Sequence, residues 1–338
     1  MKLYGGIDLH STNNYLVLVD ETGAIQYKKR LANELQIVLR ELKPFEAIES
    51  LVVESTYNWY WLVDGLMASG YSIKLANTNA IQQYNGLKHS NDKTDARWLA
   101  ELNRLNILPT GYIYPKELRG LRDLLRKRMQ LVQQNTQQIL SIQTIIERST
   151  SIRLSGAKIK KLTAENLVTL LPSQDIYQAA FSNLTVMTCL TKQIELLEEH
   201  ILPKVKENPG FKKLQTIDGV GKILAQTIVL ETGDIHRFKN VGNYASYCRC
   251  VDSKRISNGK KKGENNRKNG NKYLCWAYVE AANFAIRYNE VIKRYYQRKK
   301  TKTNPVVAIK TIAHKLARAS YYILRDNVDF NIEASFMS

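Results

Sequence analysis

The chain has 338 residues, 44% hydrophobic and 24% charged, which suffices to bury real cores and to build two domains plus a connector. Asp8 interrupts the apolar stretch at the N-terminus and no run of 18 apolar residues occurs, so neither a signal peptide nor a membrane span is expected, and the expected location is cytoplasmic. The formal charge of +19 points instead to a polyanionic partner.

In chain order, residues 3–8, 15–20 and 24–29 read as strands, with a turn at Glu21-Thr22-Gly23 between the second and third. Residues 33–42 have helical spacing, 50–53 read as a buried strand, 71–75 as a short one, and 94–105 as a helix with an acidic first turn. This is the pattern of an α/β domain. From Leu118 the spacing changes: Leu118, Leu121, Leu125, Arg128, Val132, Asn135, Ile139, Ile142 and Ile146 step by alternating threes and fours, a coiled-coil seam with two polar interruptions. A second helix over 176–205 presents Ala180, Met187, Ile194, Leu197 and Ile201 in the same way. The spacing allows the two helices to pair within one chain or between chains.

Pro209-Gly210 opens a third section. Its Asp218-Gly219-Val220-Gly221-Lys222 turn, placed before an apolar helix over 223–231, resembles a helix-hairpin-helix element, which presents backbone N–H groups to a phosphate; a structural tight turn has the same signature. Helices over 277–288 and 305–324 come next. The expected domains are 1–115, 116–207 and 208–328. Four cysteines (Cys189, Cys248, Cys250 and Cys275) lack the paired spacing of a zinc site and read as reduced thiols.

Charge is unevenly spread. Arg249, Lys254, Arg255, Lys260, Lys261, Lys262, Arg267, Lys268 and Lys272 face only Asp252 and Glu264 over residues 249–272, and Arg298, Lys299 and Lys300 belong to a second basic cluster over 287–318. Both fit nucleic acid, since each neutralised phosphate releases counterions. Tyr295 and Tyr296 can stack on bases there or pack their helix.

Four acids stand apart by position: Asp8 within a strand, Glu54 at a strand end, and Asp92 and Asp95 on one face at a helix start. A carboxylate among strand apolar residues needs a partner or a metal, and oxygen-only ligands favour Mg²⁺ or Mn²⁺. A helix cap at Asp92 and a solvated strand end at Glu54 are the plainer alternatives.

The strings GGIDLH, VVEST and NDKTDA, in that order, resemble the Asp-Glu-Asp-Asp set of the insertion-sequence-110 transposases and their invertase-like relatives. The resemblance implies an RNase H-like (RuvC-like) N-terminal domain with Asp8, Glu54, Asp92 and Asp95 as catalytic, metal-holding residues. Residues 218–282 are similar to the family's second domain, which carries a serine before a glycine-rich basic stretch. The match is Ser257 in Arg255-Ile256-Ser257-Asn258-Gly259, with Ser253 competing. The resemblance further implies a DNA transposase or recombinase, a serine–DNA covalent intermediate, a structured noncoding guide RNA and a homo-oligomer, dimer or tetramer. Two other readings remain open: a water-using junction resolvase, and an inactive nucleic-acid-binding protein.

Overall fold

The computed structural model describes residues 1–81, 92–253, 255–264 and 269–337, with only the backbone of Asp92 and Lys93. Contacts divide the chain into two compact units, Met1–Lys116 and Glu117–Ser338.

The first unit runs β1 (Leu3–Leu9), β2 (Asn13–Asp20), β3 (Ile25–Ala32), α1 (Leu35–Leu42), β4 (Ile48–Glu54), α2 (Tyr60–Ala68), β5 (Ile73–Ala76), α3 (Asp92–Arg104) and β6 (Thr110–Gly111). The strands form one sheet in the order β3-β2-β1-β4-β5-β6, parallel at β1–β4 and β4–β5 and antiparallel elsewhere. Its central strands are apolar on both faces because both faces are covered. On one face Ile7, Leu9, Leu16, Leu18, Leu51 and Val53 pack with Val38, Leu42, Leu62, Val63 and Leu66 of α1 and α2. On the other, Tyr15, Val17 and Val19 lie with Ala96 and Ala100 of α3, while Val52 and Ala76 lie with its Leu99 and Leu102.

Sequence periodicity misses α2. Its N-cap is Trp59, which makes no side-chain cap hydrogen bond, and its apolar residues form no single stripe, so neither usual signal is present.

The second unit begins with α4 (Lys116–Thr150), the short helices α5 (Gly156–Ile159) and α6 (Ala164–Leu170), and α7 (Gln174–Lys206). Side-chain hydrogen bonds join α4 to α7, among them Arg128 Nε to Glu198 Oε1 (2.7 Å), Asn135 Nδ2 to Thr191 Oγ1 (3.1 Å) and Asn183 Nδ2 to Ser141 Oγ (3.0 Å). Residue numbers rise on one helix as they fall on the other, so the two are antiparallel within the chain, and the polar interruptions at 128 and 135 are partnered there. The stripe differs from expectation at its start, where Leu118 is exposed and Arg119 is buried. Ile139, Ile142 and Ile146 form a local core with Ala180, Leu184 and Met187, whereas Leu125, Ile201 and Val205 join the core of the C-terminal helices.

Those helices are α8 (Pro209–Leu214), α9 (Lys222–Thr232), α10 (Val241–Tyr247), α11 (Lys272–Tyr288), α12 (Glu290–Lys302), α13 (Pro305–Asp326) and α14 (Ile332–Phe336). Between α10 and α11 lies a two-stranded antiparallel ribbon, β7 (Arg255–Ser257) and β8 (Lys260–Gly263). Among the described residues no helix is long and apolar enough to cross a membrane. All four cysteines are free, and burial pushes the Cys250 thiol up to about 12.

Candidate active site

Two acids of the first unit, Asp8 and Glu54, meet at the C-terminal ends of two adjacent strands. Ile7 of β1 pairs in parallel register with Val53 of β4, so Asp8 and Glu54 come next, side by side. Side chains alternate along a strand, which puts Asp8 on the same face as Gly6, the face under α3. Gly6 is what lets α3 lie there: a Cβ at this position would stand 2.2 Å from Ala96 O and 2.4 Å from Ala100 N. Asn103, near the end of α3, fastens the helix to the sheet. Its amide donates to Ser50 O (3.1 Å), while its Oδ1 accepts from Ser50 Oγ (3.1 Å) and Lys74 Nζ (3.0 Å). Held this way, α3 brings Asp95 within electrostatic reach of Glu54.

Asp8 is 2% exposed, and its Oδ2 makes no aligned hydrogen bond although His10 Nε2 lies 3.2 Å away. The Glu54 carboxyl is pushed up to about 8, first by burial, then by its hydrogen bond to Asp8 and the charges of Asp8 and Asp95. One proton thus relieves a cluster of three like charges. Asp92 begins α3, three residues before Asp95, but its side chain lies outside the described residues. Among the described residues no group of three or more His, Cys, Asp and Glu side chains forms a ready metal-holding set.

Sequence reasoning gave His10 no role. Besides its approach to Asp8, its backbone carbonyl accepts from the Asn33 and Asn58 side chains, both at 2.9 Å, which anchors the turn directly after β1. The only sequence signal for this is a histidine two residues past a buried acid.

Ser257 ends β7, opposite Lys260. Asn258 and Gly259 between them have φ of 51° and 70°, the left-handed pair that closes a two-residue hairpin. The Ser-Asn-Gly string is therefore a surface turn. Arg255, Ile256, Ser257, Lys260, Lys261 and Lys262 are all exposed, and among the described residues no acid or base hydrogen-bonds to Ser257. Ser253 is half-buried.

The remaining basic residues sit on separate elements. Arg249 donates from Nε to Asn269 O (3.1 Å), and Lys272 is the first residue of α11. Lys254, Arg267 and Lys268 lie outside the described residues. Gly219, at φ +93°, packs its turn against α11, where a Cβ would meet Ala285 N at 2.5 Å; Gly221 is open and caps α9, which begins at Lys222. Arg298, Lys299 and Lys300 lie on α12. There Tyr295 packs edge-on against Phe336 at 5.5 Å, with Arg298 and Lys315 over its ring, and Tyr296 is half-buried.

Comparison with known proteins supplies what the geometry leaves open. A family model for the DEDD transposases of insertion sequence IS110 matches residues 5–149, and one described as "Transposase IS116/IS110/IS902 family" matches residues 211–297. The chain belongs to the IS110 family of transposases. It is also similar to the transposase for insertion sequence element IS1111A of Coxiella burnetii (strain RSA 493 / Nine Mile phase I), with 23% identity over 294 residues, 84% of this chain and 78% of that protein. Membership makes the protein an enzyme of DNA transposition and recombination with DNA as its partner. The matched N-terminal region, a mixed sheet with α3 across it, is the RNase H-like domain of the family, a domain type that works with divalent metal ions. The rest of the chain is mostly helical.

Proposed function

We propose that the transposase cuts and rejoins DNA strands with Asp8, Glu54, Asp92 and Asp95 holding Mg²⁺, or Mn²⁺ in its place, and with Ser257 as the nucleophile. The observation that carries the reading is the meeting of Asp8, Glu54 and Asp95 at the ends of β1 and β4, with Asp8 Oδ2 buried and lacking an aligned hydrogen bond. Such a cluster is unfavourable without a cation, and its all-oxygen donor set suits a hard one. A bound ion would polarise the scissile phosphate. The chain's own contribution is to fix two carboxylates by strand register and a third through α3, and to hold a proton on Glu54 until a cation displaces it.

In the transfer step Ser257 Oγ forms a phosphoester with the cut strand, the strand oxygen leaves with a proton, and the serine's proton passes to a base. Attack by a hydroxyl of the joining strand reverses the step and restores the serine. Ser257 is exposed and, among the described residues, no acid or base hydrogen-bonds to it, so in this reading the accepting base is brought to it when the complex with nucleic acid assembles. That favours a homo-oligomer, dimer or tetramer, with a site shared between chains. In this reading residues 1–115 are the nuclease domain, 116–207 a coiled-coil connector and 208–328 the serine-bearing domain. Its α8–α9 turn acts as a helix-hairpin-helix phosphate contact, and its basic ribbon and α12 hold DNA together with a structured noncoding guide RNA.

The same exposure of Ser257 favours a second reading, a metal-dependent resolvase that uses water. One experiment separates the two. Purified protein with its co-purified RNA is incubated with Mg²⁺ and DNA carrying the element's end junction, and wild type, Asp8→Ala and Ser257→Ala are compared on a denaturing gel. A protein-linked DNA band in wild type that both variants lose supports the serine mechanism. Cutting without a linked band, undiminished in Ser257→Ala, supports the resolvase.

A further inference from the structure

Between α4 and the first turn of α11 lies a cavity of about 480 Å³, lined by Asp123, Arg126, Lys127, Met129, Gln130 and Gln133 on one wall and by Lys272, Tyr273 and Trp276 on the other. Its volume is in the range of small-ligand pockets. Its base is rigid. Arg126 makes paired hydrogen bonds to Glu231 (2.6 and 2.7 Å), and its guanidinium stands 4.6 Å from the centre of the Tyr273 ring. Glu231 is 2% exposed and also accepts from Asn271 Nδ2 at 2.7 Å. The Asn271 side-chain oxygen in turn caps α11 by accepting from the backbone of Tyr273 and Leu274. A buried ion pair of this kind contributes little net stability, and holding side chains in one geometry is its best-attested use.

Arg126 is neutralised by Glu231, so the cationic groups left at the cavity are Lys127 and Lys272, one on each wall and both exposed, against one lining carboxylate, Asp123. The lining also holds the half-buried Trp276 and Met129 and the exposed amides of Gln130 and Gln133, with Gln130 Oε1 accepting from Lys127 Nζ at 2.9 Å. Flat apolar surface, amide donors and acceptors, and two flanking ammonium groups match a nucleobase with a phosphate on either side. The cavity also lies directly after the basic segment that ends at Lys272. A duplex cannot place a base there without unpairing it.

We propose that this cavity binds one unpaired nucleotide of a nucleic-acid strand, stacking its base on Trp276 and holding its phosphates with Lys127 and Lys272. The site shares no residue with the acid cluster or with Ser257, and it stands whether or not those residues act as proposed. The ligand chemistry is shared by single-stranded DNA and by an RNA bulge or loop.

The test uses the full chain freed of nucleic acid, in metal-free buffer so that no strand is cut. Fluorescent oligothymidylate, oligouridylate and a blunt duplex are titrated by anisotropy. Trp276→Ala is expected to weaken single-strand binding about tenfold, the scale of one base stack, with duplex binding changed less than about twofold. Lys127→Gln, at an exposed position where folding is not at issue, is expected to weaken single-strand binding and lower its salt slope by about one. A larger loss with oligouridylate identifies RNA as the source of the base, and a larger loss with oligothymidylate identifies DNA. Unchanged single-strand affinity in both variants, or equal losses on single strand and duplex, overturns the proposal.

Discussion

Asp8 sits on a strand with neighbours on both sides and a helix across it, 2% exposed, whereas Ser257 ends a strand whose single partner is another short, exposed strand. Burial and strand register place the carboxylates before any ligand arrives, and the position is visible as the raised Glu54 carboxyl. The ribbon is held by a few backbone hydrogen bonds and a tight turn, and a lone two-stranded hairpin is marginal by itself. The acid cluster is thus built by packing. The ribbon, which carries the proposed nucleophile, has no such packing to fix its geometry.

That contrast can be broken most sharply at Asp8. Asp8→Ala is expected to remove DNA cutting entirely while the unit stays folded, as read by a cleavage gel beside a circular dichroism melt; cutting at wild-type rate would separate the acid cluster from the chemistry. Next in size is Gly6→Ala, whose Cβ would meet backbone atoms of α3. A loss of about 3 kcal/mol, read by denaturant unfolding, should come with faster amide exchange along α3. The matching change in the ribbon, Gly259→Ala, meets no neighbour and should cost only about 1 kcal/mol, from its left-handed backbone.

A smaller effect concerns pH. Glu54 holds its proton up to about 8 in the folded chain against an ordinary value of 4.5, so the folded state binds that proton more tightly than the unfolded state. Its contribution to stability is complete below about 4.5 and is lost as pH rises through about 8. The metal-free protein should therefore melt at lower temperature as pH climbs through that window, and Glu54→Gln should flatten the slope. Added Mg²⁺ should restore stability at the alkaline end. Smallest is Ser257→Ala, expected to alter stability by less than about 0.5 kcal/mol because the side chain is exposed on the ribbon, so any loss of strand transfer in that variant reports chemistry.

Where local pattern and tertiary packing agree, the elements were legible: the strands at 3–8 and 15–20, the helix over 94–105, the two long helices and the apolar helix after Gly221 all occur within a few residues of their expected bounds. The α2 helix was not legible, since it starts at an uncapped tryptophan and is apolar on more than one side. Nor was the ribbon, because three- and four-residue strands made mostly of lysine and arginine carry no alternation. Asn-Gly was its one local sign. The antiparallel pairing of α4 with α7 inside one chain comes from the connection between them, which heptad spacing does not encode.

By itself the sequence determined which residues had to be explained: a carboxylate in an apolar strand, a second at a strand end, a serine in a basic turn, and a charge of +19 concentrated late in the chain. These depend on residue type and spacing, which govern desolvation and long-range field. Only the tertiary structure decided which of them meet. Strand order places β1 beside β4, a glycine admits α3 against the sheet, and so Asp8, Glu54 and Asp95 converge from three distant segments. The Arg126–Glu231–Asn271 chain was invisible beforehand for the same reason: its successive links span 105 and 40 residues, and only the packing of α4, α9 and α11 brings them together.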